Sequence, residues 1–272
     1  MLADAGLGSR RLMERWIAEG RVHVDGEAAH TGQRVAADAR IEVDGRPVSQ
    51  APQHGCRVLV LNKRAGVITT RQDPEGRTTV FERLPPLRSG RWISVGRLDV
   101  QTSGLLLLTN DGALAHRMMH PSTGLDREYA VRVGGRLSDE ELAALTSGVM
   151  VDDELLKFSD VQYYNGSGSN HWYHVVLMEG RNREVRRLFE AVGLTVSRLK
   201  RVRYGPVVLP STLRLGQLQE LDETDLKGLY ELLGLPLTLP QRPPDRRGSR
   251  KPAKPEAGRS LLLPYPKLSG RG

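Results

Sequence analysis

The stretch Gly96-Arg97-Leu98-Asp99-Val100-Gln101-Thr102-Ser103-Gly104-Leu105-Leu106-Leu107-Leu108-Thr109-Asn110-Asp111-Gly112 decides how this chain is read. A polar turn bracketed by Gly96 and Gly104 carries one carboxylate and runs directly into four leucines. Such an apolar run predicts a strand buried on both faces, so Asp99 is aimed by something rigid. The glycines permit close backbone approach, and Thr102 and Ser103 have hydroxyls to donate inside the turn. Asn110-Asp111-Gly112 predicts a turn or an N-cap for a helix over 113–119. By itself the pattern fits a tight loop with an exposed aspartate as well as a catalytic one.

The surrounding 272 residues are enough for one large domain and a small one. No apolar run reaches the ~20 residues of a membrane span, and no secretory signal is visible. A single cysteine, Cys56, excludes an internal disulfide and a multi-cysteine metal site, which fits a reducing cytoplasm. The net charge of +8 points to a polyanionic partner, but it is unevenly spread. Residues 236–272 hold nine Lys or Arg against two acids, and eight of the sixteen prolines. That composition predicts a basic, disordered tail that does not pack, serving as an RNA tether or as a solubilising extension. Two local basic clusters remain: Arg10, Arg11, Arg15 and Arg21 near the front, and eight basic residues over 181–203.

At the front, a helix over 5–20 is predicted, with Ser9 as N-cap and Leu12, Trp16 and Ile17 on one face. Arg10, Arg11 and Arg15 then fall largely on the other, a pattern that also suits a merely solvated face. Two hairpins follow, one closing at Asp25-Gly26 and one over 35–48. Residues 49–56 read as a short linker. Beyond it, a strand over 57–62 is expected to pair with 66–70 across Lys63-Arg64-Ala65. His116 and His120 are spaced i, i+4, but no Glu completes a metal motif and Pro121 ends the helix, so no metal is expected. Arg127–Val133 alternates as a strand with Tyr129, Val131 and Val133 on the core side, a placement in which Tyr129 also reads as simple packing. Ser138–Glu141 is a capping box opening a helix that Gly148 ends. Residues 149–164 and 171–178 read as antiparallel strands. In Gly180-Arg181-Asn182-Arg183-Glu184-Val185-Arg186-Arg187-Leu188-Phe189, Val185, Leu188, Phe189 and Val192 form an apolar helical stripe. Arg186 lies about 100° round from Val185, on the stripe's edge, and is the arginine placed to reach inward.

With these motifs in view, the chain resembles the bacterial ribosomal RNA pseudouridine synthases of the RsuA/RluB type. Gly-Arg-Leu-Asp followed by Thr, Gly, the leucines and Thr-Asn-Asp-Gly carries the likeness. The Gly-Ser-Arg-Arg helix and Arg21-Val22-His23-Val24-Asp25-Gly26 resemble the small S4 RNA-binding domain over about residues 1–48, whose first helix normally begins upstream of Leu2 and is expected to be truncated here. The resemblance implies that Asp99 is the essential catalytic residue, that Tyr129 stacks on the target base, and that Arg186 lies against the aspartate and keeps it ionised. It implies isomerisation of a uridine to pseudouridine on a flipped-out nucleotide without cofactor or metal. Asp73-Pro74-Glu75-Gly76-Arg77 and the 201–206 stretch resemble the branch acting on 23S rRNA of the large subunit; the 16S branch and a non-catalytic ribosome-assembly factor are the alternatives.

The expected fold is α+β: an S4-like domain (1–48), a linker (49–56), a catalytic domain (57–235) with a mostly antiparallel mixed sheet and flanking helices, and the tail (236–272). The RNA-binding residues expected are Arg10, Arg11, Arg15, Arg97, Arg181, Asn182, Arg183, Arg187, Lys200, Arg201 and Arg203. The partner is ribosomal RNA, with no membrane and no metal; a cytoplasmic monomer is expected.

Overall fold

The computed structural model describes residues 2, 7–36, 38–48, 55–87, 89–239 and 260–266. At the front, α1 (Arg10–Ala18) is capped by Ser9, whose hydroxyl accepts from the Leu12 N–H at 3.1 Å. The start of the predicted helix, including Ala5, lies outside the described residues. Strands β1 (Val22–Val24), β2 (Glu27–Ala28), β3 (Ile41–Val43) and β4 (Arg46–Pro47) form a sheet in the order β2-β1-β3-β4. Both hairpins turn on Asp-Gly, with Asp25 and Asp44 at φ 52° and 50°. Two left-handed residues match the strands' own twist. Val22, Val24, Ala39 and Ile41 make a small core against Trp16 and Ile17. The second hairpin is confined to 41–47, narrower than predicted.

The larger unit runs β5 (Val58–Lys63), β6 (Ile93–Val95), β7 (Ser103–Thr109), α2 (Gly112–Met119), a 3-10 turn (Pro121–Thr123), β8 (Arg127–Gly134), α3 (Asp139–Ser147), β9 (Val149–Val151), β10 (Glu154–Leu156), β11 (Asp160–Ser167), β12 (Asn170–Leu177), α4 (Glu184–Ala191), β13 (Val196–Tyr204), β14 (Val207–Val208), β15 (Leu218–Glu220) and α5 (Glu223–Leu233). Its main sheet is ordered β11-β12-β8-β13-β7-β5-β15, with β14 on β13 and β6 on β7. The pairings are antiparallel except β13 with β7. The class is α+β, as the alternation of hairpins and single helices predicts.

The four leucines sit in β7, each at most 1% exposed. Leu105 and Leu107 pack with Leu114, Met118, Leu226 and Leu229 from α2 and α5, whereas Leu106 and Leu108 pack with Leu59, Trp92 and Val131. Period-two alternation sends neighbouring leucines to opposite cores. Asp111 caps α2 by accepting from the Ala113 and Leu114 N–H groups.

Four expectations are corrected. Residues 66–70 do not pair with β5, because β7 and β15 occupy both its edges. The 149–164 run is broken by a turn at Asp152-Asp153, both at positive φ, into a β9–β10 hairpin and the separate β11. Of the linker, 49–54 lie outside the described residues, but the Cys56 N–H donates to the Thr238 carbonyl, so 55–56 belong to the larger unit. The tail reading fails for 260–266. Leu261 is 4% exposed, Ser260 and the Leu261 N–H donate to the Asp225 carboxylate, and Leu262 bridges Val207. Tyr265 donates to Asp126 at 2.8 Å. Leu261, with the half-buried Leu262, supplies apolar burial that the basic average of the tail conceals.

Candidate active site

Asp99 sits in the turn entering β7, exposed at a cavity of about 770 Å³ that Tyr129 and Thr102 also line. Its carboxylate makes no hydrogen bond or ion pair among the described residues. The backbone around it, by contrast, is clamped from several directions. Lys63, 1% exposed at the end of β5, donates through its ammonium to the carbonyls of Asp99 (3.1 Å), Thr102 (2.8 Å) and Arg64 (3.0 Å). The Gly66 N–H reaches the Val100 carbonyl at 2.7 Å, and the Thr69 hydroxyl donates to the Leu98 carbonyl at 3.0 Å. The 66–70 segment thus serves the loop instead of β5. Ser103 donates to the Leu199 carbonyl on β13 at 3.2 Å, not within the turn as predicted, and the buried Thr102 hydroxyl has no partner among the described residues.

Arg186, 6% exposed on α4, arrives on the other side of the same loop. It donates to the carbonyls of Val196 (2.9 Å) and Gln101 (3.4 Å), while its Nε has no partner among the described residues. Burial and then Arg183 push its pKa down, and the negative charge of Asp99 opposes them. Arg186 therefore forms no direct ion pair with Asp99. It holds the loop and presents positive charge to it. Tyr129, 8% exposed, shares the core face of β8 with Val131 and Val133 and lines the cavity.

Burial is also the main influence on Lys63, pulling its pKa down from 10.5 to about 8, with Asp99 opposing and Arg201 assisting. The folded state then binds this proton more weakly than the unfolded chain. Its contribution to stability rises with pH between about 8 and 10.5. Loss of the ammonium charge nevertheless weakens three charge-assisted bonds to the loop. Turnover is expected to decline as pH rises through about 8 while the melting temperature does not fall. Lys63→Met should be slower and lack that limb; a pH–rate profile with parallel thermal melts checks both.

The predicted RNA-binding residues separate into two sets. Arg97, Arg181, Asn182 and Arg183 are exposed and line the cavity, Arg181 paired there with Glu179 at 2.9 Å and Arg183 only loosely with Glu190 at 3.9 Å. Arg183 is held at φ 51° at the start of α4, a conformation costing a non-glycine residue about 1 kcal/mol. Arg10 and Arg11 are exposed on α1, and Arg15 pairs loosely with Glu19 at 3.4 Å. Lys200 is half-buried and lies away from the cavity. Three do not fit the prediction. Arg187 is committed to Glu154 (2.8 Å) and Asp152 (3.1 Å), and Arg203 to Asp126 (2.6 Å) and Glu128 (2.9 Å). Arg201 is 3% exposed and donates inward to the Leu105 carbonyl at 2.8 Å, although it lines the cavity. Acids distant in sequence, folded alongside, neutralise the first two. Arg21 is likewise paired with Asp44 and stacked on Trp16.

Sequence reasoning missed Lys63, Thr69 and Glu184. A lysine continuing the apolar run Val58–Leu61 was the available signal, because a strand buried along its whole length has no solvent to give it. Glu184 is 6% exposed in the cavity wall and accepts from the Arg181 N–H at 2.9 Å, and burial pushes its carboxyl pKa up. Among the described residues no cluster of His, Cys, Asp and Glu has a metal-holding arrangement. His116 and His120 instead meet edge to face, 5.4 Å apart.

Residues 57–191 match the family model for RNA pseudouridylate synthase, and residues 1–41 match that for the S4 domain. The chain is 54% identical over 266 residues to the ribosomal large subunit pseudouridine synthase B of Pseudomonas aeruginosa, covering 94% of this chain and 69% of the relative. It is 48% identical over 275 residues to the protein of the same name from Yersinia pestis, covering 100% of this chain and 86% of the relative. A crystal structure of a pseudouridylate synthase, 25% identical, superposes with a TM-score of 0.58 over 84% of this chain and 96% of that one. Identity at that level along most of both chains, on a matching fold, shows that this chain belongs to the RNA pseudouridylate synthase family.

Proposed function

We propose that the chain converts a uridine of large-subunit ribosomal RNA to pseudouridine, with Asp99 as the catalytic residue. One observation carries the assignment to Asp99: a carboxylate without a hydrogen-bond or ion-pair partner among the described residues stands at a nucleotide-sized cavity, on a loop whose backbone is held by Lys63, Gly66, Thr69 and Arg186. Chemistry at C1′ and C5 is blocked inside a base stack, so the nucleotide enters flipped out. Asp99 initiates cleavage of the N-glycosidic bond. The detached uracil turns, C5 bonds to C1′, the C5 proton leaves and N1 gains one. The bond exchange is an isomerisation that consumes no electrons and no water, so the chemistry calls for no cofactor.

Tyr129 offers the ring against which the base stacks, and its rigid placement on β8 limits where the uracil can turn. Arg186 holds the loop at the Gln101 carbonyl and presents its positive charge to it from behind. Arg97, Arg181 and Arg183 at the rim meet the phosphates beside the flipped nucleotide. The S4 domain adds affinity through Arg10 and Arg11. A cytoplasmic monomer acting on rRNA or its assembly intermediate is the corresponding setting.

Mapping pseudouridines in both ribosomal RNAs of cells lacking the protein tests the reading. Loss of a pseudouridine from large-subunit RNA, restored by the wild-type gene, is expected. An unchanged map, or loss confined to small-subunit RNA, overturns it.

A further inference from the structure

The main sheet has one uncovered area. Helices α3 and α4 contribute Leu145, Leu188 and Phe189 to the core over the Tyr129 face of β8, and α2 and α5 pack on β5, β6 and β7 and reach β13 only at its last residue, Tyr204. Across β11, β12, β8 and β13 as far as Arg203, the face opposite Tyr129 carries no described helix. Its side chains are half-buried or exposed.

The register assigns its occupants. A bulge at Ser197 lets Val196 and Leu199 both face the core, which turns Arg198 and Lys200 outward. Arg198 stands directly opposite Arg132, which stands opposite Trp172 on β12. In the next rung Lys200 lies opposite Ala130, and Ala130 opposite His174. Tyr164, 69% exposed on β11, sets its ring 5.6 Å from that of His174. Acids on this face begin only at the third rung. There Glu128 is tied to His174 and Arg203, and Asp160 accepts from Gln162.

Two arginines directly opposite each other on a strand pair repel, and such pairs destabilise a sheet. Arg132 spends its Nε on the Ser197 hydroxyl, whereas Arg198 and Lys200 have no hydrogen bond or ion pair among the described residues. Three cations without an acid in their two rungs, beside indole and phenol rings at a helix-free sheet surface, match what a single-stranded nucleic acid needs: cations for phosphates and flat rings for bases.

We propose that this sheet face is a second RNA-binding surface, on which Arg132, Arg198 and Lys200 take the phosphates of a single-stranded segment while Trp172 and Tyr164 stack its bases. The inference rests on the chain acting on ribosomal RNA. It adds a contact on the side of the sheet away from Tyr129, so the substrate is gripped on both faces.

The test uses the full-length chain with two probes, single-stranded oligouridine and an in vitro transcript of large-subunit rRNA. Arg198→Glu removes a cation and places a carboxylate opposite Arg132, so folding is retained and the melting temperature is unchanged or raised. Affinity should fall about tenfold at low salt, and the slope of log affinity against log salt should become shallower by about 0.7 or more per lost phosphate contact. Trp172→Ala should weaken binding by about fivefold or more without altering the salt slope. Both variants binding like wild type overturns the surface, as does a loss of affinity that merely tracks lost thermal stability. Wild-type product formation on the same transcript is the separate control. No pseudouridine there sinks the enzymatic reading, whereas normal product with unaltered binding by both variants sinks this surface alone.

Discussion

Asp99→Asn is expected to reduce uridine isomerisation by at least about 10⁴-fold while RNA affinity stays within a few-fold of wild type. Asparagine keeps the size and planarity of the side chain, and the loop is held through backbone groups by Lys63, Gly66 and Thr69, not through the carboxylate. The substitution therefore leaves the turn in place and removes only the negative, proton-accepting oxygen. Tritium release from 5-tritiated uridine in ribosomal RNA measures turnover, and a filter-binding titration measures affinity. Full tritium release by this variant would falsify the assignment of Asp99. Equal loss of binding and turnover would place the residue in substrate affinity instead.

The second large effect is structural. Gly104 lies where β7 and β13 run parallel, at φ +100°. A Cβ there would sit 2.2 Å from the Arg201 carbonyl oxygen and 2.8 Å from its nitrogen. Both are backbone atoms of a central strand, so neither can swing away. Gly104→Ala is expected to cost about 3 kcal/mol or more of stability, by combining a left-handed backbone with a clash at the seam of the sheet. Gly96→Ala, also at positive φ (+74°) but with open space where its Cβ would be, provides the control and should cost about 1 kcal/mol. Urea denaturation of both variants separates strain from clash. Similar losses would mean that the strands part easily and that the seam does not hold the Asp99 loop.

Much of this arrangement was readable in residue order because its cause is local. The leucine run, the Asp-Gly turns, the Ser9 and Asp111 caps and the Ser138 capping box depend on neighbours within a turn or a strand. The stripe on α4 likewise singled out Arg186 as the arginine reaching inward. Local order also drew attention to Asp99, by setting one acid against an apolar strand.

Partnership was different. The same kind of basic cluster contains Arg183, open to the cavity, and Arg187 and Arg203, each spent on acids from other strands. Nothing within a few residues distinguishes them, because charge neutralisation is decided by contacts between distant segments. Lys63 reads in sequence as the start of a hairpin turn, yet its ammonium grips the Asp99 loop. Leu261 and Leu262 are averaged away by the basic residues around them until β14 and α5 give them a surface. Sequence alone determined most local elements and set Asp99 at the mouth of the leucine strand, since these follow from periodicity and chain-local sterics. Only tertiary structure decided which cations remain free for RNA and what holds the acid still, because burial and pairing exist only after the chain has closed on itself.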